Sequence, residues 1–309
     1  MATDRWIDLL DPSEGELLQR VPRDLHPKAL ARLLQPHEGK DPRPTLQSHG
    51  DYVLGLFLVP VLVPEEDRVY YQEVGLVLTT DGLVTVRKTP LNGEPFDTVG
   101  IREACRGDEP PGRLALQIVE EIADGFVELI EKLTAEIDEV ELNVEEWAND
   151  RVRTRLSRLR SDVAKIHQTL APTREAVWQV ADNRIEIAGK QEIFPKDVEI
   201  DFTDAHDRLM RAGEGLEFCR ELLVSVREYH DSKLANEANE AAQKQSEIVS
   251  RLTVIASLLL LPALIVATFG MALPNQPGLG WGGLWWVAVG LCAAVTVAQV
   301  WFFKKKRWI

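Results

Sequence analysis

The 309-residue chain carries 49 Asp and Glu against 35 Lys and Arg, a net charge of −14. That is the wrong sign for a phosphate backbone and argues against nucleic acid as a partner. The three cysteines, Cys105, Cys219 and Cys292, form no CxxC pair and have no histidine at ligand spacing, which argues against structural zinc and a disulfide framework; with no nucleophile motif or Walker loop, and one GxGxxG match (Gly278 to Gly283) that follows no strand, neither an enzyme nor a covalently held cofactor is expected.

Residues 1–112 read as a small α/β domain. Pro12-Ser-Glu-Gly15 and Pro27-Lys-Ala-Leu-Ala-Arg-Leu-Leu34 have the form of helix starts. Residues 52–59 and 75–87 are rich in β-branched and aromatic side chains, and Thr80-Asp81-Gly82 breaks the second run as a hairpin turn. From residue 113 the period lengthens. Ile122, Phe126, Leu129, Leu133, Ile137, Val140, Val144 and Trp147 recur every three or four residues, a stripe that needs a partner helix. Leu156, Leu159, Val163, Ile166 and Leu170 supply one, so residues 113–200 are expected to hold an antiparallel helical hairpin. Glu120 to Asp150 contains twelve acidic residues and a single base, Lys132. This is either a store of carboxylates for cations or a plain solvated face.

A stalk helix is expected over 201–251, starting near Asp204 with Asp201 to Asp204 as caps. Gly213 and Gly215 weaken it, but no proline interrupts it before Pro262, so the same rod should continue into the next segment. A helix so long needs copies of itself or the rest of the chain to pack against.

From Leu252 to Phe303 there is no Asp, Glu, Lys, Arg or His. A bilayer core takes about 20 apolar residues of helix, so the tract divides into a first span over 252–273, an outer loop over 274–283 rich in Pro and Gly, and a second span over 284–303. Trp281, Trp285 and Trp286 mark one headgroup level and Trp301, Phe302 and Phe303 the other. Residues 304–309 form a basic tail with Lys304, Lys305, Lys306 and Arg307. Setting those four bases aside leaves 31 Lys and Arg against 49 acids, a balance of −18 on the rest. The positive-inside rule places both ends in the cytoplasm, and the opening residues carry no signal-peptide pattern. The fold class is thus an α+β membrane protein with lipid as a partner.

Ser246, Ser250, Thr253 and Ser257 fall at i, i+4, i+7 and i+11. Asn239 and Gln243 precede them on that face, and Leu260, Leu264 and Thr268 follow. A ring of such helices would enclose a pore lined by hydroxyls and amides and pinched by leucines, and neutral oxygens suit a hard cation that keeps much of its water. Alternatively, the hydroxyls bond their own helix carbonyls or cement helix packing.

Several motifs resemble the CorA superfamily of divalent-cation channels and transporters, which includes magnesium channels and ZntB-like zinc transporters. They are Trp6-Ile-Asp-Leu-Leu-Asp-Pro12, Leu25-His-Pro-Lys-Ala-Leu30, Leu170-Ala-Pro-Thr-Arg-Glu175, Arg251-Leu-Thr-Val-Ile-Ala256, Gly270-Met-Ala272 and the tail from Lys304 to Ile309. The resemblance covers essentially the whole chain. It implies a homopentamer in a bacterial inner membrane, a cytosolic α/β funnel, and a pore lined by the first membrane helix. Mg2+, with Co2+, Ni2+ or Zn2+ in its place, would be the transported and regulatory ion. It puts Ser246 at a polar ring, Val249 at a hydrophobic constriction and the basic tail near the acidic hairpin, and it implies regulatory acids between protomers, for which Asp204 and Asp207 are candidates. Ala272 stands where the family has the Asn of Gly-Met-Asn, so the usual ring of amide oxygens is missing. The backbone carbonyls of Gly270 and Met271 become fallback ligands, and Asn275 and Gln276 offer amides nearby. The leading reading is a divalent-cation channel. A ZntB-like, proton-coupled zinc transporter and a non-conducting metal-sensing assembly are the alternatives.

Overall fold

The computed structural model describes residues 5–23, 25–35, 42–63, 68–90, 93–105, 109–185, 192–272 and 281–305, with the side chains of 63, 68, 104, 269–272 and 281–285 outside that description. The chain forms two compact units, Met1–Glu228 and Tyr229–Ile309.

The first unit is built on a five-stranded sheet in the order β1-β5-β4-β3-β2, from β1 (Trp6–Leu10), β2 (Thr45–Ser48), β3 (Val53–Val63), β4 (Arg68–Leu78) and β5 (Leu83–Arg87). Only the β1 pairing with β5 is parallel. The expected turn joins β4 to β5: the Thr79 amide donates to the Gly82 carbonyl at 2.9 Å, while the Asp81 and Gly82 amides donate to the Thr79 hydroxyl. Glycine is required at 82 because an added Cβ would lie 2.4 Å from the Arg5 carbonyl oxygen.

Both faces of the sheet are covered. On one lie α1 (Glu14–Arg20) and α2 (Pro27–Leu34), burying Leu17, Val21 and Leu33 against Val77, Val84 and Val86. Ser13 and Glu16 cap α1 reciprocally, and the His26 imidazole accepts from the Lys28 amide to start α2. After a short α3 (Val99–Ala104), the other face takes the long helices α4 (Pro111–Asn143) and α5 (Asn149–Ala181). The stripe from Ile122 to Val140 is buried on α4, with Val144 buried at its C-terminal cap, and Leu156 to Leu170 answers it on α5.

The third long helix, α6, runs over Lys196–Ala272, so the expected start near Asp204 is wrong. The Pro195 carbonyl takes the first helical bonds from Val198 and Glu199, the acids Asp197 and Glu199 favour the positive end of the helix dipole, and Phe194 packs edge-on against Phe202 at 5.5 Å. Asp201 is therefore no cap: it pairs with Arg113 at 2.9 Å. Nor do Gly213 and Gly215 break the helix. A Cβ on Gly215 would sit 3.0 Å from Ile130 Cγ2, so the glycine lets α6 approach α4 closely.

Two polar groupings tie the sheet. Asp8 on β1 accepts from Thr85 at 2.6 Å, from Arg87 Nη2 at 2.6 Å and from Thr98 at 3.0 Å. Burial, the largest single influence, raises the Asp8 pKa, but the donors of Arg87, Thr85 and Thr98 together outweigh it and hold the carboxyl below its ordinary range. Glu73 and Lys88, 4% and 6% exposed, form an ion pair sealed from water, and the ammonium also donates to the Arg32 carbonyl.

The second unit contains the C-terminal part of α6 and α7 (Trp281–Lys305). Both helices are long and apolar enough to cross a membrane. The second begins three residues before the expected Leu284 and extends past Phe303, so Lys304 and Lys305 form its last turn, where cations complement the dipole. Lys305 lies 5.1 Å above the Trp301 ring. Val254 and Phe303 are the buried apolar side chains of this unit among the described residues.

Candidate functional site

In an apolar medium a hydroxyl must find an acceptor, and on a helix its own preceding turn is closest. The hydroxyl of Thr253 donates to the Val249 carbonyl at 2.8 Å, that of Ser257 to the Val254 carbonyl at 2.9 Å, and that of Thr268 to the Ile265 carbonyl at 2.8 Å. Back-bonding of this kind uses each group's one proton and leaves its oxygen lone pairs available.

The stripe is wider than a single line. At about 100° per residue, Ser246, Val249, Thr253, Leu260 and Leu264 fall within an arc of roughly 60°, and all are exposed. Val254, Leu258 and Ile265, the side turned to α7, lie about 130° round the helix. Ser250, Ser257, Thr268 and Asn239 occupy the flank between, with Gln243 at its far edge; of these Ser250 and Ser257 are half-buried. The α7 partner thus covers one side of α6 and leaves a mixed hydroxyl and leucine side open.

The helix reaches Ala272, so the backbone of Gly270, Met271 and Ala272 is helical. The last four carbonyls of a helix have no intrahelical donor and carry the negative end of its dipole. Asn275, Gln276, Lys306 and Arg307 lie outside the described residues.

Asp204 and Asp207 share an exposed face of α6, beside a surface cavity of about 580 Å³ that Arg208, Met210 and Arg211 complete. The cavity thus sets two arginines beside two carboxylates. Arg208 also pairs with Asp124 at 3.2 Å and Glu120 at 3.7 Å. His206 sets its Nδ1 3.7 Å from Asp207 Oδ1 while its ring packs against Trp178 at 4.8 Å, and burial pushes its pKa down. Among the described residues no three His, Cys, Asp or Glu side chains converge as a metal site. The acidic arm of α4 is partly answered by cations, Glu128 by Lys132 at 2.7 Å and Glu136 by Arg155 at 3.0 Å.

Sequence reasoning missed Gln299 on α7, whose amide reaches the α6 backbone at Ser257. The available clue was composition: it is the sole carboxamide between residues 281 and 305.

A sheet domain flanked by helices, with one helix continuing into a pair apolar enough to span a bilayer, defines a membrane protein with a large aqueous part. The family described as CorA-like Mg2+ transporter protein matches residues 3–305, and the chain belongs to that family of divalent-cation transporters. It is 23% identical over its full length to the cobalt/magnesium transport protein CorA of Thermotoga maritima, spanning 84% of that protein. It is 24% identical to the divalent cation transporter CmaX of Pseudomonas aeruginosa over 74% of this chain and 64% of that one. The structure of the CorA magnesium transporter from Methanocaldococcus jannaschii superposes with a TM-score of 0.67 at 20% identity, covering 98% of this chain and 91% of that one.

Proposed function

We propose that the protein is a homopentameric channel for Mg2+, accepting Co2+ and Ni2+, with α6 of each copy lining the pathway in a bacterial inner membrane and both termini in the cytoplasm. The observation that carries this reading is the side of α6 left open by α7, where Ser246 and Thr253 present hydroxyl oxygens among Val249, Leu260 and Leu264, with the exposed Thr268 on its flank. Neutral oxygens replace outer hydration without binding too tightly to release, while the leucines narrow and dewet the path. At the outer end, where Ala272 supplies no side-chain oxygen, the carbonyls of Gly270 and Met271 at the negative end of five helix dipoles are the ligands, with Asn275 as a further amide. At the inner end Lys304, Lys305, Lys306 and Arg307 form a basic ring, and Asp204 and Asp207 meet a neighbouring copy across a cation that holds the ring of subunits together. Removing that cation leaves like charges to repel.

Entry is driven by the membrane potential, worth about 2.3 kcal/mol per charge per 100 mV. The test is uptake into liposomes holding the full-length protein, metal by metal and under imposed potential. Mg2+ entry that accelerates with an inside-negative potential supports the channel. Zn2+ entry that follows a pH gradient instead supports a ZntB-like transporter. Silence toward every divalent cation by an intact pentamer rejects both. Ala272→Asn should raise Mg2+ flux several-fold, and an unchanged flux in a conducting protein removes this position from the filter.

A further inference from the structure

Gln299 is an expensive residue where it stands. A carboxamide in apolar surroundings costs several kcal/mol unless its donors and acceptor are satisfied. Here Nε2 donates to the Ser257 carbonyl of α6 at 3.1 Å, whereas Oε1 is buried with no donor among the described residues. A leucine would fill the same space without stranding an oxygen. Packing alone therefore does not account for it.

The reason lies in the turn it grips. Pro262 has no amide proton, so the Leu258 carbonyl loses its helical donor and α6 is weakened there. The Gln299 amide holds the carbonyl just before that gap, at Ser257, and the Cys292 thiol lies 3.8 Å from the Pro262 carbonyl on the other side of it. Two side chains of α7, two turns apart, thus bracket the turn that Pro262 weakens.

We propose that Gln299 is a positioning residue for conduction: by pinning α6 at Ser257 it fixes the rotation of the helix about its axis and keeps Thr253, Leu260 and Leu264 turned away from α7. This rests on the α6 pathway proposed above. Gln299→Leu removes an unpaired oxygen together with one hydrogen bond, so the melting temperature of the full-length protein in detergent stays level or rises, while Mg2+ flux in liposomes falls at least five-fold. Gln299→Glu gives a readout that packing cannot produce. A protonated carboxyl still donates to the Ser257 carbonyl and an ionised one does not, and no other Asp, Glu, Lys, Arg or His lies between Leu252 and Phe303. Flux through Gln299→Glu is therefore retained at acid pH and lost as that carboxyl ionises, a step missing in the parent protein.

Accessibility separates the positioning role from the pathway itself. In a background with Cys105, Cys219 and Cys292 changed to serine, Thr253→Cys is exposed to a charged, water-soluble maleimide with Gln299 present and with Gln299→Leu. Labelling that drops at least five-fold with leucine supports the proposal. Equal labelling in both, or a pH-independent Gln299→Glu, overturns the proposal and leaves the pathway standing. No labelling even with Gln299 present overturns the pathway, and the positioning role falls with it.

Discussion

Asp8 shows what a single side chain in the opening motif does. It lies within Trp6-Ile-Asp-Leu-Leu-Asp-Pro12, yet its partners are Thr85, Arg87 and Thr98, and the Trp6 indole donates to the same Thr85 hydroxyl at 3.0 Å. Asp11 adopts φ 44° and accepts from the Thr89 amide. The motif therefore fastens β1 to β5. Asp8→Asn should lower the stability of the full-length protein by about 2–3 kcal/mol, because Arg87 keeps its charge and loses the opposite one. The pH dependence has a definite sign. A carboxyl whose pKa is depressed by folding contributes fully above its unfolded value of about 3.9 and loses that contribution as pH falls through the folded value. The gap between parent and Asp8→Asn should hold from neutral pH down to about 4 and close below it, which melting temperatures across that range will measure. A gap that widens in acid would contradict the assignment.

Among the elements, the helical hairpin was the most legible part of the sequence. Its stripe of apolar residues recurs over three turns and more, and α4 and α5 bury it as that period requires. The β-rich runs at 52–59 and 75–87 made β3, the end of β4 and β5 legible, and Thr, Asp and Gly marked the β4–β5 turn, whereas β1 and β2 were not read as strands. The start of α6 was not: Asp201 and Asp204 look like caps, but the Pro195 carbonyl and the Phe194–Phe202 contact begin the helix earlier, and that packing depends on partners distant in sequence. The hydroxyl stripe was legible as a spacing of residues. Its back-bonding to α6 and its partial cover by α7 were not, because both depend on where the second spanning helix sits. That cover sorts the stripe into strong and weak positions. Thr253 is exposed and Ser257 half-buried, whereas Leu258 lies on the side turned to α7. Thr253→Leu should cut Mg2+ flux about ten-fold, Ser257→Leu less, and Leu258→Ser least. Equal losses across the three in the liposome assay would take this side of α6 out of the pathway.

At the scale of the whole molecule, the family assignment rests on a match that runs from residue 3 to residue 305 through both units, whereas the choice of ion is proposed to rest on a few positions near Ala272. These two levels separate because a fold tolerates changes that a coordination shell does not. The sealed Glu73–Lys88 pair carries this contrast into the sheet itself. Each side chain neutralises the other where water cannot enter, so losing either one alone strands a charge, while losing both at once for matched apolar groups is close to neutral. The two positions should therefore behave as one inherited character. Across the descendants of this fold they are expected to be exchanged together, charged in both or greasy in both, and a lineage carrying only half of the pair should be rare.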